Sequence, residues 1–515
     1  MGGATQLLRF EGFNFAATVY DTNDLSTVRG SSLALDEAAA TVEAALRATI
    51  GPDVEKIFTG ASQGAYAFSG DPQKALAAVR AALTKTSSPP LQYLTFAVDA
   101  VAIEAGDDAQ ALAQALAQAE ARNRSAQFRN WTFAKLPDLD PKAEAYDHFD
   151  RLRPATQKRG DEWISESGLA RYKYGQGNRQ AFYAKRASPQ IAESLHFTDS
   201  FEDLVACPPK GLPVSLQRKM AVIHIDGNHF SKIVGELGVG PFSRQLQAKH
   251  QLLLDDILDW FHADGQFDPR FHVKNKEGFR ACRLETLLWG GEDIDLVMPC
   301  WLAFEFAELF FENAGNWRFE LPDKTESGVT HTMGIIICDR KTPIRLARSL
   351  AHDSVDRAKE ATSRADCVTF DIFEGTPPPD DGLAAHRARF YGLDHNAPDN
   401  LAAQIAFPAD RLAAMRAQIT GFKNGDKLPR SKIYAVLEKV RIACDGKYVS
   451  AEASKLTQGE IETYFQRVAN ARIPFDDLCL PALATAPKRP LALQCVLATQ
   501  FWDYADPLDA EAAGK

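Results

Sequence analysis

The sequence predicts an α+β protein made of two ferredoxin-like domains, the first of them degenerate, followed by a mainly helical domain. Residues 218–375 alternate strand-like and helix-like patterns in a ferredoxin-like order. The N-terminal part repeats a portion of this pattern, and helical periodicity dominates after the proline-rich stretch EGTPPPDDG. The expected units are a degenerate domain at 1–125, a linker region at 126–215, a catalytic domain at 216–376 and a helical domain at 383–515.

The ferredoxin-like order begins with the apolar run MAVIHI, which predicts a buried strand ending at Asp226-Gly227-Asn228. After an amphipathic helix, RLETLLW and IDLVMP predict two strands joined by a tight turn at Gly290-Gly291-Glu292-Asp293, where glycine supplies the positive φ. The helix LAFEFAELFFENA, the strand THTMGIIICD, a helix with Thr342 as its N-cap and the strand DCVTFDIFE complete the order. The first strand and the hairpin can therefore pair at the centre of one sheet.

The composition favours an ordinary soluble, multidomain protein. The 515 residues are 45% hydrophobic, and 68 acidic against 58 basic side chains give a net charge of −10, which disfavours duplex binding driven by phosphate contacts. We expect no membrane contact, because no apolar run reaches the roughly 20 residues of a membrane span. Eight scattered cysteines without a CxxC pair favour a reduced, cytoplasmic setting over a zinc ribbon or a disulfide framework.

Acidic side chains gather where the predicted strands meet. If the strand before Asp226 lies beside the hairpin, Asp226, Glu292 and Asp293 converge, and three unpaired carboxylates so close together repel one another. Divalent cations relieve that repulsion, and Mg²⁺ binds one or two carboxylates together with substrate phosphates. We therefore expect these three residues to hold Mg²⁺, or Mn²⁺, with a bound nucleoside triphosphate such as ATP.

Each of these features also has a purely structural interpretation. A Gly-Gly-Glu-Asp turn by itself is more typical of a solvated hairpin, and an Asp at a strand end is commonly a turn residue or a helix cap. His224, inside the strand, is interpreted as a hydrogen-bonded core residue rather than a ligand. His352 lies in a helix with no matching histidine cluster, so its pairing with Asp353 is attributed to chance, and Lys359 is by default a solvated helix lysine.

Residues 218–375 resemble the catalytic palm domain of GGDEF-type diguanylate cyclases. They resemble more closely the large polymerase-like subunit of type III CRISPR effector complexes and its stand-alone relatives. The stretches IDGNHF, RLETLLWGGEDIDLVMPCWLAFEFAE and GIIICDRKTPIRLARSLAHDSVDRAKEA carry this resemblance. It implies that Asp226 and Glu292 are metal ligands, that Asp293 is their acidic neighbour and that Lys359 contacts phosphate. It also implies cofactor contacts at four further residues, which are Gly227, Asn228, Gly290 and Gly291.

Two positions depart from the pattern of these families. Asn228 stands where the diguanylate cyclases have a second Asp, and Glu292 stands where the CRISPR subunits usually have Asp. Glutamate keeps the carboxylate but places it on a longer stem. The metal geometry is therefore retained in this interpretation, while the rate of any reaction is left open.

The N-terminal part aligns with the catalytic part at a constant offset of 230 residues through the hairpin, EKIFTGASQGAYAF against ETLLWGGEDIDLVM. The alignment puts Gly60-Ala61-Ser62-Gln63 opposite the Gly-Gly-Glu-Asp turn, and the stretch YDTNDL puts Asp21 opposite Asp226. The first domain is therefore expected to have lost its hairpin acids and its metal site. This agrees with the resemblance, because the type III subunits carry two palm-like domains of which one is active.

The remaining signals leave three functions open. The leading one is a nucleotidyltransferase that joins ATP or another nucleoside triphosphate into a cyclic di- or oligonucleotide signal and releases pyrophosphate, by resemblance in antiviral defence. The second is a sensor or scaffold that binds a nucleotide without turning it over, and the third is a subunit of an RNA-guided effector complex. Partners would be a nucleoside triphosphate and either a second copy of the chain or an effector-complex subunit. RNA is supported only by the cationic and aromatic segment 151–186, whose composition is more typical of a packed linker.

Overall fold

The computed structural model describes residues 5–22, 24–60, 62–86, 89–104, 108–129, 145–186, 188–192, 195–275, 278–374, 379, 381–392, 400–423, 429–469 and 489–508. In chain order the strands are β1 (Gln6–Phe13), β2 (Glu55–Thr59), β3 (Gln63–Phe68), β4 (Thr95–Ala102), β5 (Gln157–Arg159), β6 (Glu162–Ile164), β7 (His196–Phe197), β8 (Lys219–Asn228), β9 (His272–Lys274), β10 (Arg280–Cys282), β11 (Glu285–Gly290), β12 (Asp293–Pro299), β13 (Arg318–Glu320), β14 (Glu326–Gly328), β15 (Thr330–Asp339), β16 (Cys367–Ile372) and β17 (Ala406–Pro408). The α-helices are α1 (Phe15–Thr18), α2 (Leu25–Ile50), α3 (Pro72–Thr84), α4 (Asp108–Arg129), α5 (Glu166–Arg186), α6 (Pro189–Ala192), α7 (Phe201–Leu204), α8 (Phe230–Leu237), α9 (Val239–His262), α10 (Ala303–Ala314), α11 (Ile344–Ala361), α12 (Leu383–Tyr391), α13 (Asn400–Ile405), α14 (Leu412–Lys423), α15 (Arg430–Ala443), α16 (Ala451–Ala469) and α17 (Leu491–Phe501).

The first sheet is antiparallel and has the strand order β2-β3-β1-β4. With α2 before β2 and α3 before β4, this is the order of a β-α-β-β-α-β unit. Side chains alternate across β1, so Leu8 and Phe10 join the main core, whereas Leu7 packs in a smaller cluster with Ala115 and Ala119 of α4. Both faces of this sheet are therefore covered.

The second sheet has six strands in the order β11-β12-β8-β15-β16-β17. The pair β15 and β16 is parallel, and the other neighbours are antiparallel. The order β11-β12-β8-β15 repeats that of the first sheet, and β8 lies between the hairpin and β15 as the sequence pattern predicts. The mixed α+β class is thus confirmed.

Helix α11 covers the face of the second sheet that carries the even-numbered side chains of β8. Gly334 lies opposite His224 in β15, and a Cβ at Gly334 would be 2.6 Å from the carbonyl oxygen of Ala351. The missing side chain therefore lets the helix backbone approach the strand closely. Helix α11 begins at Ile344 with Pro343 as its N-cap, one residue later than the sequence predicts for Thr342.

The chain beyond Gly382 is mainly helical, in agreement with its periodicity. It also contributes β17, which pairs antiparallel with β16 at the edge of the second sheet. Its helices close a single main cluster of buried apolar side chains that extends from Leu8 of β1 to Ala505. The helical part is therefore packed onto the second sheet.

The hairpins of the two sheets are alike in detail. Each has an irregularity in register two to four residues before its turn, between Lys56 and Phe58 in β2 and between Thr286 and Leu288 in β11. These positions are 230 residues apart, which is the offset that the sequence alignment uses. The internal repeat of the hairpin is thus present in the backbone.

The prediction that Asp21 is the counterpart of Asp226 in the first sheet is wrong. The residue across from Gln63 in the first sheet is Glu11, just as Asp226 lies across from Asp293 in the second. The backbone N–H of the following glycine donates to the hairpin in both sheets, since Gly12 bonds the carbonyl of Ser62 at 2.6 Å and Gly227 that of Glu292 at 3.0 Å. Asp21 follows α1 and lies outside any strand, because the FEGFNF stretch rather than YDTNDL ends β1.

Candidate functional site

Two carboxylates meet where β8 and β12 run side by side. Asp226 and Asp293 are direct partners in the antiparallel register, so their side chains leave the same face of the sheet. Gly291 has a backbone φ of 63°, which residues other than glycine rarely adopt. A Cβ at this position would have no other atom within 4 Å, so the backbone conformation rather than crowding favours glycine here. The glycine pair thus forms the tight turn after which β12 begins at Asp293, and the pairing of β12 with β8 places Asp293 beside Asp226.

Lys359 of α11 reaches this spot from above the sheet. Its Nζ forms an ion pair with Oδ2 of Asp226, and both side chains are mostly buried. The interpretation of Lys359 as a solvated helix lysine is therefore wrong. The ammonium group supplies positive charge at the position where the sequence predicts a cation.

Burial, together with crowding of like charges, raises the pKa values of the hairpin acids. Partial burial, together with Asp226 and Asp293, raises the pKa of Glu292 to about 7 against the opposing effect of Lys359. Burial also raises the pKa of Asp293 to about 6, with Asp226 adding to the shift and His224 opposing it. Carboxylates whose pKa values are raised in this way gain from a cation placed between them.

Of the three acids, two lie close enough together to bind one cation. Asp226 and Asp293 belong with His224 to one group whose potential ligand atoms all lie within 4.8 Å of one another. Within the part of the chain that the structure describes, Glu292 belongs to no such group, although it is close enough for its pKa to respond to the other two. The geometry therefore favours Asp293 over Glu292 as the partner of Asp226.

A buried charge network lies beside this group, on the same face of the sheet. Asp295 accepts a hydrogen bond at 2.7 Å from Nδ1 of His224 and another from Nε of Arg348, and its side chain is only 1% exposed. Burial opposes the charge of Asp295, but Arg348 and His224 outweigh it and hold its pKa well below the usual range. The Arg348 guanidinium also lies 4.4 Å from the ring centroid of Tyr20, which links the network to the N-terminal part of the chain.

The sequence analysis did not predict that His352 belongs to this network. The His352 ring stacks on His224 with centroids 3.4 Å apart, and its Nε2 lies 3.4 Å from Oδ1 of Asp295. The statement that His352 has no histidine partner is therefore wrong, whereas the interpretation of His224 as hydrogen-bonded and buried is correct. A signal was present, because Arg348, His352 and Lys359 share one face of a helix at spacings of four and seven residues.

The other residues predicted to contact a cofactor have identifiable structural roles. Asn228 is buried, and its Nδ2 donates to Oγ1 of Thr332 at 3.1 Å and to the carbonyl of Arg364 at 3.3 Å. A Cβ at Gly227 would lie 1.5 Å from the Phe230 ring, so only glycine fits there. Gly290 ends β11 opposite Asp293. These residues shape the rim of the group rather than extend side chains into it.

Among the residues that the structure describes, the equivalent place in the first sheet carries no such acidic set. Gln63 and Ser62 occupy the hairpin positions of Asp293 and Glu292, and Ala61 of the predicted alignment lies outside the described residues. Arg9 donates to Oε1 of Gln63 at 2.9 Å and lies 3.7 Å from Glu11. A guanidinium group of the protein itself thus sits beside the one acid that remains.

Asp21 is neutralised in a different way. Arg171 of α5 forms two hydrogen bonds to it, at 2.9 and 3.0 Å, and Arg153 pairs with the same carboxylate. Burial opposes its charge, but these two arginines prevail and lower the pKa of Asp21. Other cations of the same segment are also paired, Arg179 with Asp199 and Arg186 with Asp36, which supports the packed-linker interpretation.

The fold resembles solved structures of one protein. An apo Csm1–Csm4 cassette matches with a TM-score of 0.58 at 12% identity over 98% of this chain and 70% of that chain. Csm1 in T. onnurineus matches with a TM-score of 0.55 at 14% identity over the same shares. The cassette in complex with pppApApA matches with a TM-score of 0.55 at 12% identity over 98% of this chain and 69% of that chain.

Further matching structures of the cassette contain ATP, pppApA, cA3 or cA4. Csm1 is the large polymerase-like subunit of type III CRISPR effectors, so the resemblance found in the sequence is confirmed at the level of the fold. No protein-family model and no curated protein matches the chain. Among the described helices, none is both long and apolar enough to cross a membrane.

Proposed function

We propose that this chain is a divalent-metal-dependent nucleotidyltransferase that makes a cyclic di- or oligonucleotide from ATP or another nucleoside triphosphate. The observation that carries the proposal is the pairing of Asp226 with Asp293 on adjacent strands beneath Lys359, in a chain folded like Csm1. By this proposal both sheets belong to palm-like domains, and only the domain of 216–376 is active. The setting is a CRISPR-type antiviral defence with an effector-complex subunit as partner.

The residues present fit a divalent cation. Asp226 and Asp293 would hold it, with Glu292 adding negative charge at the tip of the turn. The raised pKa values of Glu292 and Asp293 support this assignment, because burial and neighbouring carboxylates raise them and a bound cation would offset both effects. When bound, Mg²⁺ or Mn²⁺ neutralises charge on the transferring phosphoryl group.

The protein's own groups would then position the nucleotide. Lys359 has no need to neutralise Asp226 once a cation is present, and its ammonium group is free to contact a phosphate. A Cβ at Gly291 would have no other atom within 4 Å, so the turn itself does not block the approach of a phosphate group. The 3′ hydroxyl of one nucleotide attacks the α-phosphate of another and gives its proton to solvent. A P–O bond forms to the 3′ oxygen, the bond between the α-phosphorus and the bridging oxygen of the β-phosphate breaks, and pyrophosphate leaves.

The direct test is product formation by the purified full-length protein. The protein is incubated with each α-labelled nucleoside triphosphate and Mg²⁺ or Mn²⁺, and the products are identified by mass spectrometry. We expect a cyclic product that is abolished in Asp226→Asn and Asp293→Asn and retained in Asp323→Asn, which removes an exposed acid from the turn between β13 and β14. Undiminished product from Asp226→Asn would overturn the site assignment.

A nucleotide-binding sensor or scaffold is the second candidate. It is favoured by Glu292, which stands where the CRISPR subunits usually have Asp and lies outside the group formed by Asp226 and Asp293. The same experiment separates the two candidates. Metal-dependent nucleotide binding that Asp226→Asn abolishes, without any product from the unmodified protein, would favour the sensor. Glu292→Asp would then be the variant in which turnover is sought.

A further inference from the structure

We propose that His224 is a nitrogen ligand of the metal ion held by Asp226 and Asp293, and that it makes this site selective for Mn²⁺-like transition metals over Mg²⁺. The proposal rests on the proposed role of the two aspartates and adds a residue to it. It also predicts a property, the choice of metal, that carboxylates alone would not confer.

The distances are close to those around one shared cation. Nε2 of His224 lies 3.9 Å from Oδ1 of Asp293, and the potential ligand atoms of His224, Asp226 and Asp293 all lie within 4.8 Å of one another. Around a cation with bonds of about 2.1 Å, ligand atoms are separated by about 3.0 Å at right angles and about 4.2 Å when opposite. The Asp293 side chain is 42% exposed, so a small rotation can bring its oxygen into that range.

The hydrogen bond of the other ring nitrogen sets the direction of the lone pair. Nδ1 of His224 contacts Oδ1 of Asp295 at 2.7 Å, and Arg348 holds the second oxygen of that carboxylate. With Asp295 as acceptor, Nδ1 keeps its proton, so Nε2 is the ring nitrogen that faces the aspartates and can offer a lone pair to a cation. A carboxylate behind a ligating histidine is the usual arrangement in metal sites.

The packing fixes the ring in this orientation. The His224 side chain is only 3% exposed, and the stacked ring of His352 covers one of its faces. The alternative group of His224, Asp295 and His352 fits a cation poorly, because both oxygens of Asp295 are already engaged, Oδ1 by His224 at the 2.7 Å of a hydrogen bond and Oδ2 by Arg348. The ion pair of Lys359 with Asp226 engages Oδ2 of that carboxylate. The group with Asp226 and Asp293 is therefore the one that a cation would occupy.

The test is the coordination of Mn²⁺ in the full-length protein, measured by pulsed electron paramagnetic resonance. We expect nitrogen coupling to bound Mn²⁺ that changes when the protein is labelled with ¹⁵N-histidine, so the unmodified protein alone gives an answer. His224→Gln should remove the coupling and weaken Mn²⁺ binding by about tenfold or more, with a smaller effect on Mg²⁺. His352→Gln is the matched control, since it removes the stacked ring but should keep the coupling.

The outcomes separate this inference from the proposed function. Mn²⁺ bound without nitrogen coupling would overturn the role of His224 even if a cyclic nucleotide forms. Nitrogen coupling in a protein that makes no product would sustain the metal site and contradict the nucleotidyltransferase. Coupling that disappears in His352→Gln and persists in His224→Gln would assign the nitrogen to His352 and overturn the proposal.

Discussion

At the scale of single residues, the hairpin acids make metal binding depend on pH. Without metal, the pKa of Asp293 is about 6 and that of Glu292 about 7, both above the usual values. A cation must displace protons below these values, so its apparent affinity should rise with pH between roughly 5 and 8 and then level off, with a slope of up to about tenfold per unit. Mn²⁺ titrations across this range measure the effect.

Glu292→Gln is the control for this pH dependence. It should remove the component near pH 7 and keep the one near pH 6, because Asp293 remains the acid that pairs with Asp226. An affinity that does not change with pH in the unmodified protein would contradict the raised pKa values.

A second residue-scale prediction concerns Asp295. It is buried and bonded to both His224 and Arg348, so Asp295→Ala leaves two polar partners without their acceptor. We expect a loss of about 3 kcal/mol of unfolding free energy, the cost typical of breaking a buried ion pair. The pKa of Asp295 is depressed, so its stabilising effect is present above about pH 4 and is lost as the pH falls towards its folded value. Thermal midpoints near neutral and acidic pH measure both effects, with Asp323→Asn as the control for removal of an exposed acid. Equal midpoints for Asp295→Ala and Asp323→Asn near neutral pH would contradict the prediction.

The same residues mark the limit of sequence reasoning. The strand that ends at Asp226 and the turn that carries Asp293 could be predicted, because glycine position and apolar alternation determine both locally. The contact between His224 and His352 could not be predicted with the same assurance, because it depends on how α11 lies across β8. The helix spacing indicated which residues share a face, but not which strand that face would meet.

At the scale of elements, two glycines set the distance between α2 and α5. A Cβ at Gly30 would lie 1.8 Å from the carbonyl oxygen of Arg171, and one at Gly175 would lie 2.0 Å from that of Ser26. Glycine normally weakens a helix by about 1 kcal/mol relative to alanine. Gly175→Ala should nevertheless lower the free energy of unfolding by several times this amount of about 1 kcal/mol. The added methyl group forces the two helices apart and strains the pairing of Arg171 with Asp21.

Gly177→Ala is the matched control on the same helix. A Cβ there meets no atom within 4 Å, so the substitution should be neutral or slightly stabilising. Equal thermal midpoints for the two variants would show that α2 and α5 adjust without cost and would contradict the close packing.

Element by element, the repeat was only partly predictable. The offset of 230 residues found the hairpin correctly, because both copies keep the same turn and the same irregularity of register. The separate match of YDTNDL to the first motif was wrong at Asp21. The chain between the long helix and the hairpin is longer in the second copy, so the offset does not extend back to the first strand, and residue type alone was no guide to the spacing. Likewise, β17 is a three-residue strand inside a helical region, and nothing in its sequence distinguishes it from a turn.

At the scale of the whole molecule, the two sheets are joined by a buried ion pair and one core. Arg29 of α2 pairs with Glu285 of β11, with side chains 2% and 3% exposed, and the main apolar cluster includes residues of both sheets. Neither sheet can unfold without exposing that shared surface. We therefore expect one cooperative thermal transition in calorimetry, although separate transitions are common in proteins with several domains.

The Arg29–Glu285 pair provides the variant that tests this expectation. Arg29→Met leaves Glu285 charged and buried without a partner, which should cost about 3 kcal/mol and lower the single transition as a whole. The double variant Arg29→Met with Glu285→Leu should recover most of the loss, because apolar side chains of similar volume avoid the penalty of burying charge. Arg416→Met is the control, since its partners Glu305 and Glu308 form a partly exposed pair worth less than about 1 kcal/mol. If Arg29→Met instead splits the transition in two, with Mn²⁺ raising only the later one, the sheets unfold independently and the shared core does not couple them.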